Sequence, residues 1–304
     1  MAELKNVAVL GTGTLGSQII MQAAYAGKNV TAYDISDEVL DKLPQRWEWM
    51  RGYYSRDLDD FDNARFDEAI TRISATTDLK EATENADIVI EAVPENVELK
   101  HKVYKELSEY VSDDTILATN SSYLLPSEIA PAVKNPERFG TLHLANLVWR
   151  ANNGEIMGHP GTAPETLDAI EQFAKEINLR PFRVLKETRG YLLNAQFVPL
   201  LRTAIALYAN GVASYDDINE SIKVGMQAPT GMIEAADMVG FSLLADSYSR
   251  VDDPALQAWA AEAKKAVEAG KGGLGDREGF YKYDEAGRNI GKGDFFPDIW
   301  GENK

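Results

Sequence analysis

The sequence contains no cysteine and only three histidines among its 304 residues. Disulfide bonds, thiolate nucleophiles and cysteine-rich zinc sites are therefore excluded, and we expect no metal site. Any chemistry that needs an imidazole has three candidates, which are His101, His143 and His159. The position of each histidine is therefore informative.

Long apolar runs and positive charge are also scarce. No apolar run approaches the roughly 18 residues that a membrane span needs. The start, MAELKNVAVLGTG, leads into an apolar strand pattern without a signal peptide, so we expect a soluble, cytoplasmic protein. Lys and Arg total 31 against 48 for Asp and Glu, a formal net charge of −17. This balance argues against nucleic acid and membrane surfaces as partners.

The first half of the chain alternates short apolar runs with amphipathic stretches. Strands are predicted at 7–10, 30–33, 88–92 and 116–118, and helices at 15–25, 39–50, 66–73 and 99–111. This rhythm predicts a parallel sheet with right-handed crossovers. Two more predicted strands, 139–143 and 155–158, flank a turn and are expected to form an antiparallel pair near the sheet's end.

The second half has a helical pattern. Helices are predicted at 191–209, 215–224, 232–239 and 254–269. The polar segment 186–190 marks the predicted boundary. We therefore expect an α/β protein with a doubly wound parallel sheet at 1–187, including a helical excursion at about 39–73, and an all-α domain at 188–304. The tail after Tyr283 ends in apolar residues and is expected to dock on its own or a neighbouring subunit.

A glycine-rich string, Gly11-Thr12-Gly13-Thr14-Leu15-Gly16, lies between the first predicted strand and helix. Glycines at this spacing let the backbone turn tightly and approach a pyrophosphate at the helix N-terminus. Asp34 ends the second predicted strand, where a carboxylate accepts hydrogen bonds from the ribose of NAD and repels the 2′-phosphate of NADP. The pattern favours NAD. The alternative is that the glycines only pack helix against strand and Asp34 caps a helix.

Several motifs in chain order carry a resemblance. They are Ala-Asp-Ile-Val-Ile-Glu-Ala-Val-Pro-Glu-Asn (86–96) with Lys100 beyond it, Thr119-Asn120-Ser121-Ser122, Gly190-Tyr191-Leu192-Leu193-Asn194, Gly211-Val212-Ala213-Ser214, Asp237-Met238-Val239-Gly240 and Gly279-Phe280-Tyr281-Lys282-Tyr283. In these motifs the chain resembles the L-3-hydroxyacyl-CoA dehydrogenase family over nearly its whole length. The resemblance implies an NAD-binding Rossmann domain, a helical domain through which homodimers commonly form, and a small 3-keto or 3-hydroxyacyl substrate.

The resemblance also implies roles for single residues. Cofactor roles fall on Asp34, Glu95, Lys100 and Asn120, and catalytic roles fall on Ser122, His143, Asn146, Glu155 and Asn194.

The residue types suit the chemistry of alcohol oxidation and ketone reduction. Histidine accepts or returns a hydroxyl proton near neutral pH. His143 ends a predicted strand, where open sheets bind ligands, and Glu155 follows across a turn, so pairing would bring the two side chains together. Ser122 and Asn194 can donate hydrogen bonds to substrate oxygens, and Asn146 can hold the loop or the substrate. For His143 and Asn194 the alternative is a structural role. We expect His159 to be structural or solvent-facing and His101 to be solvated.

The chain departs from the family's pattern after the histidine, where His-Phe-Phe-Asn-Pro is usual. Here the string is His143-Leu144-Ala145-Asn146-Leu147, and the family's lysine is replaced by Asn152. Trp149 and Arg150 follow, and we assign them, with Ser122 and Asn146, to the substrate pocket. Segment 142–157 looks most like the diketoreductase members of the superfamily.

The helical excursion differs as well. In the family it is rich in lysine and helps to hold the CoA phosphates, whereas residues 56–62 form an acidic run here. Within residues 46–62 the cations are Arg46, Arg51 and Arg56, so CoA phosphates would find little positive charge there. We expect an NAD-dependent 3-hydroxyacyl dehydrogenase. The alternatives are a diketo-ester, gulonate- or carnitine-type dehydrogenase, with Arg150 pairing a substrate carboxylate, and a non-catalytic NAD(H)-binding protein.

Overall fold

The computed structural model describes residues 3–301. By its internal contacts the chain divides into two compact units, Met1–Asn194 and Ala195–Lys304. Each unit is built around its own buried apolar core.

The first unit contains an eight-stranded sheet. Its strands are β1 (Asn6–Leu10), β2 (Asn29–Tyr33), β3 (Ile73–Thr76), β4 (Ile88–Glu91), β5 (Ile116–Thr119), β6 (Phe139–Leu144), β7 (Asn153–Met157) and β8 (Arg180–Val184). Their order across the sheet is β3-β2-β1-β4-β5-β6-β7-β8. All neighbours pair in parallel except β6 and β7, which are antiparallel. The predicted doubly wound sheet and its antiparallel pair are confirmed.

Helices cover both faces of this sheet. They are α1 (Thr14–Tyr25), α2 (Asp37–Leu40), α3 (Leu43–Asp57), α4 (Asn63–Thr71), α5 (Leu79–Thr83), α6 (Val97–Leu107), α7 (Pro126–Ile129) and α8 (Pro164–Glu176), with short 3-10 turns at Ala130–Ala132 and Pro136–Arg138. Side chains alternate along β1, so Val7 and Val9 join the core that contains Ile19 of α1. Ala8 joins the opposite core with Tyr104 of α6. Burial on both faces explains the continuous apolar runs of the central strands.

Several helix boundaries differ from the prediction, among them α6, which was predicted at 99–111 and lies at Val97–Leu107. The helix predicted at 39–50 is split, and α3 begins at Leu43 because Pro44, which lacks an N–H group, suits a first turn. The helix predicted at 66–73 ends earlier, and Ile73 begins β3. The helix predicted from 191 begins at Leu193, because Tyr191 has a left-handed φ of 53°. The sequence patterns of α8 and β8 were not recognised.

The second unit is helical, as predicted. It ends in a small β-hairpin that the sequence did not predict. Its elements are α9 (Leu193–Ala209, which begins in the first unit), α10 (Tyr215–Met226), α11 (Met232–Val239), α12 (Phe241–Tyr248), α13 (Pro254–Glu268), a 3-10 turn (Leu274–Asp276), β9 (Tyr281–Tyr283) and β10 (Asn289–Lys292). The tail packs on its own chain: Phe296 is buried beside Phe280, and the Tyr208 hydroxyl donates to the Pro297 carbonyl at 2.6 Å.

Among the residues described, no helix has both the length and the apolar character to cross a membrane.

Candidate active site

The antiparallel pair β6–β7 places His143 directly opposite Glu155. Residues opposite each other in such a pair project from the same face at close range. The Nδ1 atom of His143 lies 2.7 Å from Oε2 of Glu155, and both side chains are buried. The dyad predicted from the sequence therefore exists as a hydrogen-bonded pair.

The second oxygen of Glu155 is held by the start of α9. Its Oε1 accepts hydrogen bonds from the backbone N–H groups of Leu192 and Leu193 at 2.9 and 2.8 Å. A helix N-terminus favours negative charge, and a carboxylate oxygen can only accept. His143 therefore donates from Nδ1 to Glu155, and its Nε2 atom takes no part in this pair.

Three further residues with predicted catalytic roles lie on separate segments. Ser122 follows the end of β5 and is exposed, Asn194 is the second residue of α9, and Asn146 is exposed in the loop after β6. Asn194 is next to the Leu193 N–H group that binds Glu155. The roles of these three residues remain predictions.

The glycine-rich loop has the shape that a diphosphate needs. Gly11 has a φ of 97°, and a Cβ there would lie 2.7 Å from the Ala92 carbonyl oxygen. A Cβ at Gly16 would lie 1.9 Å from the Gly11 carbonyl oxygen, whereas a Cβ at Gly13 would meet nothing within 4 Å. Two glycines thus allow close packing, and the third leaves room beside the first turn of α1, where Thr14 and Leu15 begin the helix. The loop fits a dinucleotide.

Asp34 fixes this loop from the end of β2. Its Oδ2 atom accepts hydrogen bonds from both the backbone N–H and the hydroxyl of Thr12, each at 2.8 Å. Its Oδ1 atom accepts from the Ile35 N–H at 2.9 Å. A carboxylate has about four acceptor positions, so capacity remains for a ribose hydroxyl. The structure adds a loop-holding task to the predicted cofactor role.

Lys100 lies in a buried ion pair. Its Nζ is 2.6 Å from Oε1 of Glu91, and both side chains are almost wholly buried. Burial raises the pKa of Glu91, although Lys100 and the Thr119 hydroxyl oppose the rise. Lys100 also lies 3.6 Å from Glu95. Its predicted contact with the cofactor is untested, and its observed task is to neutralise a buried carboxylate.

Glu95 and Asn120 support the loops around the sheet's edge. Glu95 accepts hydrogen bonds from the backbone N–H groups of Tyr123 and Leu124, which directly follow Ser122 in the chain. Burial pushes the pKa of Glu95 upward, but its donors, led by the Ser121 hydroxyl, leave it below its usual value. Asn120 accepts from the Leu144 N–H at 3.0 Å. Their cofactor roles also remain predictions.

The loop after His143 has a backbone that proline could not adopt. Leu147, at the position where the family usually has proline, has a φ of 61°, whereas proline is fixed near −65°. The N–H groups of Leu147 and Val148 donate to Oε1 of Gln18 at 2.7 and 3.3 Å. Proline at 147 would lack the first of these donors. The departure in sequence is therefore also a departure in loop geometry.

Trp149 joins this loop to the helical excursion. Its Nε1 donates to Oδ2 of Asp57 at 2.9 Å, and its ring centroid lies 4.8 Å from that of Tyr54. The residue is 5% exposed, so most of the ring is in contact with protein. Arg150, the other proposed substrate residue of this loop, is exposed. The predicted substrate contacts of both residues remain untested.

The sequence did not predict that Gln18, Tyr54 and Asp57 contact the loop after His143. Gln18 carried a usable signal, because it is a buried polar side chain in an otherwise apolar helix and must find a partner.

The two remaining histidines have structural partners: Nε2 of His159 lies 2.8 Å from the Pro136 carbonyl, and Nε2 of His101 lies 2.6 Å from the Glu128 carbonyl. His101 is thus bonded rather than simply solvated.

Comparisons with known proteins agree with this architecture. The family model for the 3-hydroxyacyl-CoA dehydrogenase NAD-binding domain matches residues 6–188, and that for the C-terminal domain of the same enzymes matches 190–283. A 3-hydroxybutyryl-CoA dehydrogenase from Clostridioides difficile is 31% identical over 295 residues, covering 92% of this chain and all of the relative.

Solved structures give the same picture. A diketoreductase studied for its catalysis of dicarbonyl compounds is 40% identical, with a TM-score of 0.87 over 93% of this chain and all of that one. An (S)-3-hydroxybutyryl-CoA dehydrogenase from Ralstonia eutropha is 27% identical, with a TM-score of 0.77 and coverage of 93% and 100%. The predicted NAD cofactor is supported by the matching NAD-binding domain. The chain belongs to the 3-hydroxyacyl-CoA dehydrogenase family.

Proposed function

We propose that this chain is an NAD(H)-dependent oxidoreductase that interconverts an L-3-hydroxyacyl substrate and its 3-ketoacyl form. The observation that carries the proposal is the 2.7 Å hydrogen bond between His143 and Glu155, with Glu155 held in turn by two backbone N–H groups. An imidazole supported in this way is a general acid and base. We assign the NAD-binding domain to 1–187 and the helical domain to 188–304.

The geometry of the His143–Glu155 pair supports two proton steps. In alcohol oxidation, Nε2 of His143 removes the hydroxyl proton, and Glu155 stabilises the imidazolium that forms. In ketone reduction the same Nε2 returns the proton to the oxygen. NAD(H), when bound along the glycine-rich loop, would supply the hydride chemistry of the reaction. Ser122 and Asn194 are proposed to donate hydrogen bonds to the substrate oxygens, and Asn146 to hold the substrate or the loop.

The cofactor is proposed to lie along the glycine-rich loop. Gly11, Gly13 and Gly16, with the first turn of α1 at Thr14 and Leu15, would hold the diphosphate, and Asp34 would bind a ribose. Asn120 and Glu95 follow the carboxyl ends of β5 and β4, where ligands bind in this fold, and Lys100 of α6 pairs with Glu91 at the end of β4.

A second candidate is reduction of a dicarbonyl ester without CoA, and the charges of the excursion favour it. Arg51 pairs with Asp67 at 2.7 Å and with Glu48 at 3.3 Å, and Arg56 pairs with Asp57 at 2.7 Å. These two cations are already neutralised within the protein, so they attract a CoA diphosphate weakly. The diketoreductase relative acts on dicarbonyl compounds, and Arg150 and Trp149 are the proposed substrate contacts for such a ligand.

The test is to follow NADH absorbance with acetoacetyl-CoA, ethyl acetoacetate and a 3,5-diketo ester. Turnover of the thioester supports the first candidate. Turnover of the esters but not the thioester supports the second. Turnover of none of them would contradict both and favour a binding-only NAD(H) protein.

We also propose that the chain forms a homodimer through its helical domain. Large apolar side chains there are exposed, at Leu207, Val224, Met226, Met238 and Leu243. Exposed apolar side chains that lie together commonly mark a protein interface. Light scattering after size exclusion would give the mass: twice that of one chain supports the proposal, and a single-chain mass contradicts it. The cytoplasmic location expected from the sequence remains a prediction.

A further inference from the structure

One buried aromatic residue stacks on the histidine of the proposed dyad and directly precedes the two residues that bind its glutamate, but it has no role in the proposed proton steps. Tyr191 is 1% exposed, and its ring stacks on the imidazole of His143, with centroids 4.8 Å apart and ring planes inclined by 14°. A ring stacked in this way restricts rotation of the imidazole about its side-chain bonds. The direction of Nε2 is therefore set partly by Tyr191.

The backbone at this point is unusual. Gly190 has a φ of 76° and Tyr191 a φ of 53°. Left-handed backbone is uncommon for a bulky residue, and such strain is found where surrounding contacts enforce it, often at active sites. The turn leads directly to Leu192 and Leu193, whose N–H groups bind Glu155. The same residue thus orients the imidazole and begins the backbone that holds its carboxylate partner.

The hydroxyl of Tyr191 connects the dyad to the Ser122 loop. It donates to the Leu124 carbonyl at 3.2 Å and lies 3.5 Å from the Thr141 hydroxyl oxygen on β6. Burial raises the pKa of this phenol well above its usual value, so it remains a donor. Leu124 in turn donates its own N–H group to Glu95.

We propose that Tyr191 is a positioning residue for the His143–Glu155 dyad, acting through ring stacking on the imidazole and through the turn that delivers two N–H groups to Glu155. The proposal rests on the proposed function, since it concerns the same dyad. Proton transfer requires Nε2 to point at the substrate oxygen, and small errors of orientation cost rate. Loss of the ring should therefore lower kcat more than it weakens binding.

The test compares Tyr191→Phe, which keeps the ring, with Tyr191→Leu, which removes it at the same backbone position. We expect Tyr191→Phe to keep kcat within about threefold of the wild type and Tyr191→Leu to lower it about tenfold or more, with KM and NADH affinity changing less than about threefold. Tyr191→Met is the second ring-free variant if the leucine variant does not fold. Phe173→Leu, which truncates a buried ring in α8, is the control and should lower stability but not kcat.

A second readout needs no turnover, so it separates this proposal from the proposed function. The proton shared by Nδ1 of His143 and Glu155 should give a downfield proton NMR signal in the wild type and in Tyr191→Phe. We expect the signal to broaden or disappear in the ring-free variant. A ring-free variant that retains this signal, with kcat equal to that of Tyr191→Phe where turnover is measurable, would overturn the proposal. An inactive wild type with the predicted change in the signal would count against the proposed function alone.

Discussion

Glu155 in the first unit and Asp237 in the second are buried carboxylates with similar sets of donors. Glu155 accepts from two consecutive backbone N–H groups and from His143. Asp237, on α11, accepts from the N–H groups of Phe280 and Tyr281 at 2.8 and 2.9 Å and from the hydroxyl of Tyr283 at 2.8 Å. The two sites differ in the third donor, which is an imidazole in one and a phenol in the other.

That difference separates the proposed catalytic arrangement from a structural one. An imidazole gains and loses a proton near neutral pH, so a carboxylate beside it can support proton transfer. Burial and the neighbouring Asp237 raise the pKa of the Tyr283 phenol far above neutrality, so this phenol only donates. Asp237 therefore holds the β9 hairpin, and the glycine of the Gly279-Phe280 motif is explained, since a Cβ at 279 would lie 2.2 Å from its Oδ1.

Among changes to the two carboxylates, the largest expected effect is that of Glu155→Gln on turnover. The amide keeps the size of the side chain but cannot stabilise an imidazolium or fix the imidazole tautomer. We expect kcat to fall by about 100-fold or more, with NADH affinity unchanged. Steady-state kinetics and NADH fluorescence titration measure the two quantities. A kcat within tenfold of the wild type would contradict a catalytic role for Glu155.

Asp237→Ala should instead affect stability. It leaves two backbone N–H groups and a phenol without their buried acceptor, which costs about 3 kcal/mol in free energy of unfolding. We expect the melting temperature to fall by about 10 °C and kcat, measured well below that temperature, to be unchanged. Asp246→Ala removes an exposed carboxylate on α12 and is the control. A loss of kcat without a loss of stability would assign Asp237 a catalytic role.

The smallest effect is a dependence of stability on pH. Burial raises the pKa of Asp237 to about 7, although its three donors oppose the rise. The folded state then holds the proton more tightly than the unfolded chain, whose carboxyl has a pKa of about 3.9. This contribution is full below about pH 4 and is lost as the pH rises to about 7, a change on the order of 2 kcal/mol between pH 5 and 8. Urea unfolding at several pH values should show this loss of unfolding free energy in the wild type and not in Asp237→Asn. Equal slopes of unfolding free energy against pH in the two proteins would contradict the prediction.

Much of the first unit could be predicted from the sequence because its signals are local. The glycine-rich loop, the apolar strands and the turn between β6 and β7 each depend on residues close together in the chain. His143 and Glu155 are only 12 residues apart in the chain, and the loop 145–152 joins the strands that pair them. Asp34 could be placed because it directly follows a strand of clear apolar pattern.

The remaining contacts depend on residues far apart in the chain. Nothing near Trp149 indicates that its indole donates to Asp57, 92 residues earlier. The left-handed backbone of Leu147 and Tyr191 has no sequence signal of its own, because neither residue favours it. The burial of Lys100 against Glu91 could not be predicted either, since a lysine on an amphipathic helix is usually exposed.

The most direct test of the account is the turnover of His143→Gln with NADH and the best ketone substrate. Glutamine preserves a polar side chain on β6 but cannot act as an acid or base near neutral pH. We predict a fall in kcat of about 10²- to 10⁴-fold, with the dissociation constant for NADH unchanged. Unchanged turnover in this variant would contradict the assignment of His143 as the group that moves the proton.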